Sequence, residues 1–440
     1  MTSPPRLPET TAATLERQTI RKLFLRLLPF LFLLYVVSYL DRINVGFAKL
    51  QMQVQLTGFS ERIFGIGFGT FFIGYFFLQV PSNLLLERMG VRKWIAGLMV
   101  VWGLVSCSMI FVRTPFSFYV LRFLLGAAEA GFFPGMILYM KYWFPAKARA
   151  QAVAWFMTAN PLAGVFGSPI SGILLGVHGF GLQGWQWLFV LEALPAVVLG
   201  VVVYWVLPER PTNAYWLTAQ QKSWLASELH KESSGAGLER HELVAALASP
   251  RIWMLAIVYL GLPTCMYGVT LWLPSAVHGM GLSFRSTGFV TALPFVVTAV
   301  FMVLGGFSSD RTGERRWHTA LSAFLGVAGL IAAAVFSSPL GVVLGMSLGM
   351  IGTEAMCGPF WAMATKLTGN RAAAGIAIIN SFANLGGFLG PFMIGFFRSG
   401  NGGYRGGMIA IAMVLAVSGV FAVVVGAEKP EAGLRRGSAA

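Results

Sequence analysis

Four ionisable side chains stand in stretches otherwise built for oil. Asp41 and Arg42 are neighbours in "YLDRIN", Tyr39 to Asn44, within an apolar run from about Leu27 to Phe47. Arg122 and Glu129 share another such run, seven residues or two helical turns apart, which puts both on one helix face roughly 10 Å apart along the axis. A charge at mid-bilayer costs at least about 2.5 kcal/mol on insertion scales, so groups of this kind usually face a cavity and have a task. Adjacent residues point about 100° apart on a helix, so Asp41 and Arg42 cannot simply neutralise one another. The plain alternative is a set of ion pairs that pins one helix to another; the cost of burial favours a working site over it.

The formal charges of Asp41, Arg42, Arg122 and Glu129 cancel, which makes an empty site tolerable in a low dielectric. An entering carboxylate leaves one negative charge in excess, and a proton on Asp41 or Glu129 restores neutrality. Binding of an organic anion and of a proton therefore favour one another by linkage. Around this core Tyr39 and Tyr75 offer hydroxyl donors, while Asn160, Asn380 and Asn384 both donate and accept. Asn380 and Asn384 are four apart, hence on one face. Trp361 in "GPFWA" is a candidate wall. Each of these alone is as readily glue between membrane helices as a ligand contact. Glu354, near the middle of its apolar run, is a third candidate proton carrier, suited to a dianionic substrate, with packing as its alternative role. Glu192 is expected nearer a span end, at the membrane interface.

The elements that must hold these groups are membrane helices. Of 440 residues 56% are apolar and 11% charged, against about 25% charged in soluble domains. Runs of about 18 to 25 apolar residues recur, each long enough to cross a hydrocarbon core of about 30 Å. Twelve are read along the chain. Helices satisfy their own backbone in lipid, and the runs lack the short alternation of an outer-membrane barrel. The expected fold is an all-α membrane protein of twelve transmembrane helices in two pseudo-symmetric six-helix bundles. With both termini in the cytoplasm, most of the 32 Lys and Arg fall on that side. The net charge of +15 is then an orientation signal, and no nucleic-acid partner is expected.

Several other signals are weak. Cys107, Cys265 and Cys357 are isolated, so neither a disulfide framework nor a metal site is expected. The N-terminus carries Arg17, Arg21, Lys22 and Arg26 without a small-residue cleavage site, so no removable leader is read. "GMSLG", Gly345 to Gly349, has the G-x-S-x-G spacing of a nucleophile but sits in an apolar helix, where small residues permit close packing. "GVFGSPISG", Gly164 to Gly172, reads as a patch that lets spans approach and flex. His178 and His278, near outer span ends, are expected to face water.

An internal repeat divides the chain. "NLLLERMGVRK", Asn83 to Lys93, lies between spans two and three; "GFSSDRTGERR", Gly306 to Arg316, lies between spans eight and nine. Both read small or polar residue, three spacers, acid, Arg, one spacer, Gly, one spacer, two basic residues. Two parallel copies of six spans are a transporter architecture, with the substrate site near mid-membrane where the copies meet. Gly90 and Gly313 provide tight turns, and Glu87, Arg88, Asp310 and Arg311 form candidate latches at the cytoplasmic gate. The divisions are residues 1–26, a cytoplasmic segment; 27–207, the first bundle; 208–250, a cytoplasmic linker; 251–426, the second bundle; and 427–440, a tail. Within the linker "TAQQ", Thr218 to Gln221, caps a short amphipathic helix through His230, and Ser233 to Gly237 reads as flexible.

"GFSSDRTGERR" resembles the loop motif of the major facilitator superfamily; its partner differs by Asn83 for the usual Gly and Glu87 for Asp. With "YLDRINVGFA", "RFLLGAAEAGFFPG", "WLP" at Trp272 to Pro274, "GPFWA" at Gly358 to Ala362 and "AAAGIAIINSFANLGGFLGP" at Ala372 to Pro391, the chain is similar, from about Glu16 to Val425, to the anion:cation symporter branch. Members of that branch include tartrate, galactonate and phthalate permeases. The resemblance implies Arg42 and Arg122 as carboxylate contacts, Asp41 and Glu129 as proton carriers, and Tyr39 and Tyr75 as partners of a hydroxylated acid. It implies a monomeric importer in the inner membrane, moving a small organic anion with a proton by alternating access, without cofactor. An exchanger or exporter of the same fold is the alternative. An embedded enzyme or receptor is disfavoured, because neither a catalytic constellation nor a sizeable soluble domain is present.

Overall fold

The computed structural model describes residues 9–233, 240–368, 372–398 and 403–427. Among these, every regular element is helical. The first half contains α1 (Glu9–Gln55), α2 (Glu61–Met89), α3 (Val91–Cys107), α4 (Pro115–Glu129), α5 (Phe132–Trp143), α6 (Ala146–Met157), α7 (Ala159–Leu174) and α8 (Gly184–Val206). The linker carries α9 (Ala219–Ser233) and α10 (Arg240–Leu247). The second half contains α11 (Pro250–His278), α12 (Phe284–Thr312), α13 (Arg316–Val335), α14 (Pro339–Ala355), α15 (Cys357–Thr368), α16 (Ala372–Arg398) and α17 (Arg405–Val425).

Eleven stretches among the described residues are long and apolar enough to cross a membrane as one unit, α4 with α5 and α14 with α15 each counting as one. The twelfth expected span is present but broken, as α6 and α7, and neither piece reaches spanning length. Proline explains the breaks. Pro134, Pro161 and Pro359 have no N–H to donate to the carbonyl four residues back, at Ala130, Met157 and Ala355, and each break falls there. Large apolar side chains such as Val198, Val201 and Trp205 on α8, or Leu293, Val300 and Leu304 on α12, are exposed and make the lipid-facing surface.

Helix starts follow local chemistry. Thr114 caps α4 in a reciprocal box with Ser117, and Ser338 caps α14, each followed by proline in the first turn. Thr218 and Gln221 bond each other's backbone at the start of α9, as "TAQQ" predicts. Part of the Ser233–Gly237 stretch, residues 234–237, lies outside the described residues. α1 begins before the expected bundle boundary at residue 27 and runs on past Phe47 to Gln55, because Lys49, Gln51 and Gln53 find partners at its far end.

The repeat shows in the backbone. Gly90 (φ 85°) and Gly313 (φ 69°) both turn the chain in the region that disfavours other residues. The halves pack closely at the end opposite the linker. There a side chain on Gly172 of α7 would strike the backbone of Phe284 and Gly288 on α12. Lys49 Nζ, 1% exposed, meets Glu61 at 2.9 Å and donates to Ser275 Oγ of the second half at 2.9 Å, and Glu61 also reaches Arg398 at 3.6 Å. The "GMSLG" segment lies in α14, with Gly345 against Ala333 of α13, a packing role.

Candidate functional site

The site starts on α1, whose adjacent acid and base go separate ways. Asp41, fully buried, accepts a hydrogen bond from Ser106 Oγ of α3 at 2.7 Å, with Trp102 beside it. Arg42 Nε pairs with Glu129 Oε2 of α4 at 2.8 Å, and Ser38 donates to the same oxygen at 3.4 Å. One turn of α1 thus fastens to two different helices, as the 100° divergence requires.

Arg122 behaves differently from Arg42. It is fully buried, and none of its three guanidinium nitrogens has a hydrogen-bond partner among the described residues. It stacks over Phe68 at 5.2 Å and Phe71 at 5.0 Å, while Arg42 lies 5.5 Å from the Phe71 ring and 5.3 Å from Tyr75. Phe71 therefore contacts both guanidiniums. It comes so close because Gly126, between Arg122 and Glu129 on α4, has no side chain; a Cβ there would lie 1.9 Å from the Phe71 carbonyl. Aromatic faces hold a guanidinium by roughly 2 kcal/mol when desolvated but satisfy none of its N–H groups. A guanidinium so placed has free the pair of N–H groups that a carboxylate can take at once.

The second half supplies the facing wall. Tyr267 of α11 packs on Phe72 at 4.5 Å and lies 6.3 Å from both Tyr39 and Phe68. Tyr75 and Tyr267 both lie against Arg42, and the Tyr39 hydroxyl is buried without a hydrogen-bond partner. Glu354, 2% exposed at the end of α14, shares the electrostatic neighbourhood of Tyr35, Tyr39, Tyr259 and Tyr267. Trp361 on α15 packs edge-on to Tyr259 at 4.7 Å, which places it in this wall.

The asparagines divide. Asn384 Nδ2 donates to Gln79 Oε1 of α2 at 3.4 Å, a bond between the halves. Asn380 is half-buried one turn earlier on α16. Asn160, half-buried just after the α6–α7 break, has a buried Oδ1 without a partner.

Glu192 is a correction. It is 3% exposed, not interfacial, and accepts a hydrogen bond from Ser171 Oγ at 2.6 Å. α8 starts with a Gln183–Gln186 capping box, so Glu192 lies more than two turns inside it. His278 is half-buried and meets Thr287 Oγ1 at 3.3 Å, whereas His178 is exposed.

At the linker end, Asp310 pairs with Arg315 at 2.6 Å inside its own loop, and Arg88 and Arg311 are exposed. The side chain of Glu87 lies outside the described residues. The carboxylates that meet helix N-termini there, among the described residues, include Glu209, bonded to Val91 N and Arg92 N of α3, Glu314, bonded to Trp317 N and His318 N of α13, and Glu232, bonded to Ala146 N of α6. Sequence reasoning missed Tyr267, Glu209 and a second repeat: "EAGFFP", Glu129 to Pro134, and "EAMCGP", Glu354 to Pro359, carry the same Glu-Ala pair five residues before the helix-breaking proline.

Twelve spans in two repeated halves, with charges buried where the halves meet, define a membrane transporter architecture. The chain matches the Major Facilitator Superfamily over residues 31–391 and belongs to that family. It is 47% identical over 420 residues, 95% of this chain and 93% of the relative, to an Agrobacterium vitis protein named for tartrate transport. It is 38% identical over 419 residues, 93% and 95% of the two chains, to the quinolone resistance transporter of Acinetobacter baumannii. Its fold is similar to a bacterial homologue of the human lysosomal transporter Spinster in an inward-facing, unoccupied conformation, with a TM-score of 0.73, 17% identity, and 96% and 98% of the two chains covered.

Proposed function

We propose that the protein imports a small organic anion together with a proton across the bacterial inner membrane, with both termini and the linker in the cytoplasm. The substrate class is a hydroxy or sugar acid such as tartrate or galactonate, or an aromatic acid. The observation that carries this reading is Arg122, a buried cation wedged between two phenylalanine rings with its N–H groups unbonded among the described residues. The reading assigns Arg42 as a second base, Tyr39, Tyr75 and Tyr267 as hydroxyl groups, and Asn160, Asn380, Asn384 and Trp361 as further polar and wall groups for such a substrate.

The proton follows from charge. In the interior the two guanidiniums of Arg42 and Arg122 stand against the carboxylates of Asp41, Glu129, Glu192 and Glu354. An added anion deepens that excess, so binding draws protons onto Asp41 or Glu129, with Glu354 as a further carrier. Arg42 is shared between Glu129 and substrate: when the anion takes Arg42, Glu129 loses its counter-charge and accepts a proton. Closure at Lys49, Glu61 and Arg398 shuts the outer side, and rocking of the two halves exposes the site alternately.

Adding tartrate, galactonate or an aromatic acid to de-energised cells in weak buffer tests the direction. Proton-coupled import makes the medium more alkaline as anion enters. Acidification instead supports the export or exchange reading, to which the relationship with a quinolone resistance transporter lends some weight.

A further inference from the structure

Glu192 takes no part in the cycle above beyond its charge, yet it stands inside the first bundle beside Asp41. Its Oε1 accepts from Ser171 Oγ of α7 at 2.6 Å, and its Oε2 has no hydrogen-bond partner among the described residues. The Asn44 amide of α1 lies against the same carboxylate, fully buried, with neither polar atom in a well-formed hydrogen bond. Asn44 is three residues beyond Asp41 on the same face of α1, and Asp41 and Glu192 are close enough to repel electrostatically.

Glu129 of α4 also acts on Asp41, more strongly than Glu192 does, but its charge is met by Arg42 at 2.8 Å; the other groups around the two carboxylates are neutral. From α3, Ser106 donates to Asp41 and the Trp102 indole lies beside it; from α7, Ser168 is buried three residues before Ser171 with its hydroxyl unpartnered. Glu192 and Asp41 form no ion pair with Lys, Arg or His among the described residues. The cation that acts on Asp41 is Arg122, on the substrate side. With Glu129 already met by Arg42, Asp41 and Glu192 are the two carboxylates left to repel one another across Asn44 in a low dielectric, an arrangement more stable with one proton between them.

A polar stripe continues from this pair. Asp41, Asn44, Gln51 and Gln55 share one face of α1. Gln51 accepts from Trp185 N and donates to the Leu175 carbonyl, and exposed Gln55 bonds Trp185 Nε1 and Gln183 at the end opposite the linker. This stripe runs inside the first bundle, apart from the seam that Lys49 closes between the halves.

We propose that Asp41 and Glu192 are one proton-loading unit that holds a single proton in common, Asp41 addressing the substrate site and Glu192 the outer end of the polar stripe. Loading forms one carboxyl O–H bond with a proton from outer water, and release breaks that bond toward the linker end. This rests on the proton-coupled reading and adds Glu192 to it.

Purified protein in proteoliposomes tests the pair, with pH-driven accumulation of tartrate and pH-clamped counterflow measured in parallel. Glu192→Gln removes a like charge, so Asp41 gives up its proton at lower pH; the pH of half-maximal accumulation falls by about one unit, and Glu192→Asp brings it back. Ser171→Ala removes a donor to the ionised form and moves the midpoint the other way, by about half a unit. This second, milder variant decides the matter if Glu192→Gln fails to fold. Wild-type accumulation driven by pH, with both midpoints unmoved, overturns the pair alone. Wild-type accumulation that ignores pH, or follows sodium instead, overturns proton coupling itself and the pair with it.

Discussion

Arg42 and Arg122 are both buried arginines, with opposite bonding. Arg42 is committed to Glu129, while Arg122 has only aromatic faces and distant acids. In the cycle proposed above, this contrast has Arg122 hold the anion and Arg42 signal its arrival to Glu129. Hydrogen bonds to charged groups contribute about 1.5 to 3 kcal/mol each, so Arg122→Ala should weaken anion binding by roughly 10- to 100-fold and impair counterflow and accumulation together. Asp41→Asn and Glu129→Gln should instead lower proton-driven accumulation more than counterflow. Equal loss of both activities in all three variants, measured in proteoliposomes, would refute the division of labour.

At the level of helices, the two fourth spans are built alike. Each starts at a capped proline, carries a buried glutamate, and breaks around the next residues because of a proline five positions on. The copies differ in their counter-charge: Glu129 has Arg42, and Glu354 has none among the ion pairs of the described residues. Glu354→Gln should therefore lower the proton-to-substrate ratio for a dianion while sparing that for a monoanion. An unchanged ratio and pH profile reduces Glu354 to packing. The seam at the other end makes a separate prediction. Lys49→Ala removes the bridge among Glu61, Ser275 and the Trp272 ring, 4.1 Å away. A shift of about 1.4 kcal/mol in favour of outer opening changes the population tenfold. Spin labels at Val54 and Arg405, one on each half, should then report longer distances; an unchanged distribution means that apolar packing alone keeps that end shut.

Across the whole molecule, what was legible from sequence followed physical periodicity. Long apolar runs had to be helices, and the two glycine turns and the repeated loops required parallel halves. The ionic quartet was legible because charge is so costly in lipid. The depth of Glu192 is not legible from its apolar run, because the helix starts before that run, at a polar cap. Tyr267 gave no signal, since one tyrosine in an apolar span looks like packing until the other half is placed against it. Lys49 gave no signal, because its partners Glu61 and Ser275 are set by tertiary packing. Spans that break at Pro134, Pro161 and Pro359 were legible as runs, not as paired segments.

The coupling between anion and proton can be read without a membrane. Calorimetric titration of the purified protein with tartrate or galactonate, in buffers of differing ionisation enthalpy, gives the protons taken up as the anion binds. At mildly alkaline pH, uptake of about one proton per monoanion bound is the predicted result. Binding that takes up no proton across the working pH range would contradict it.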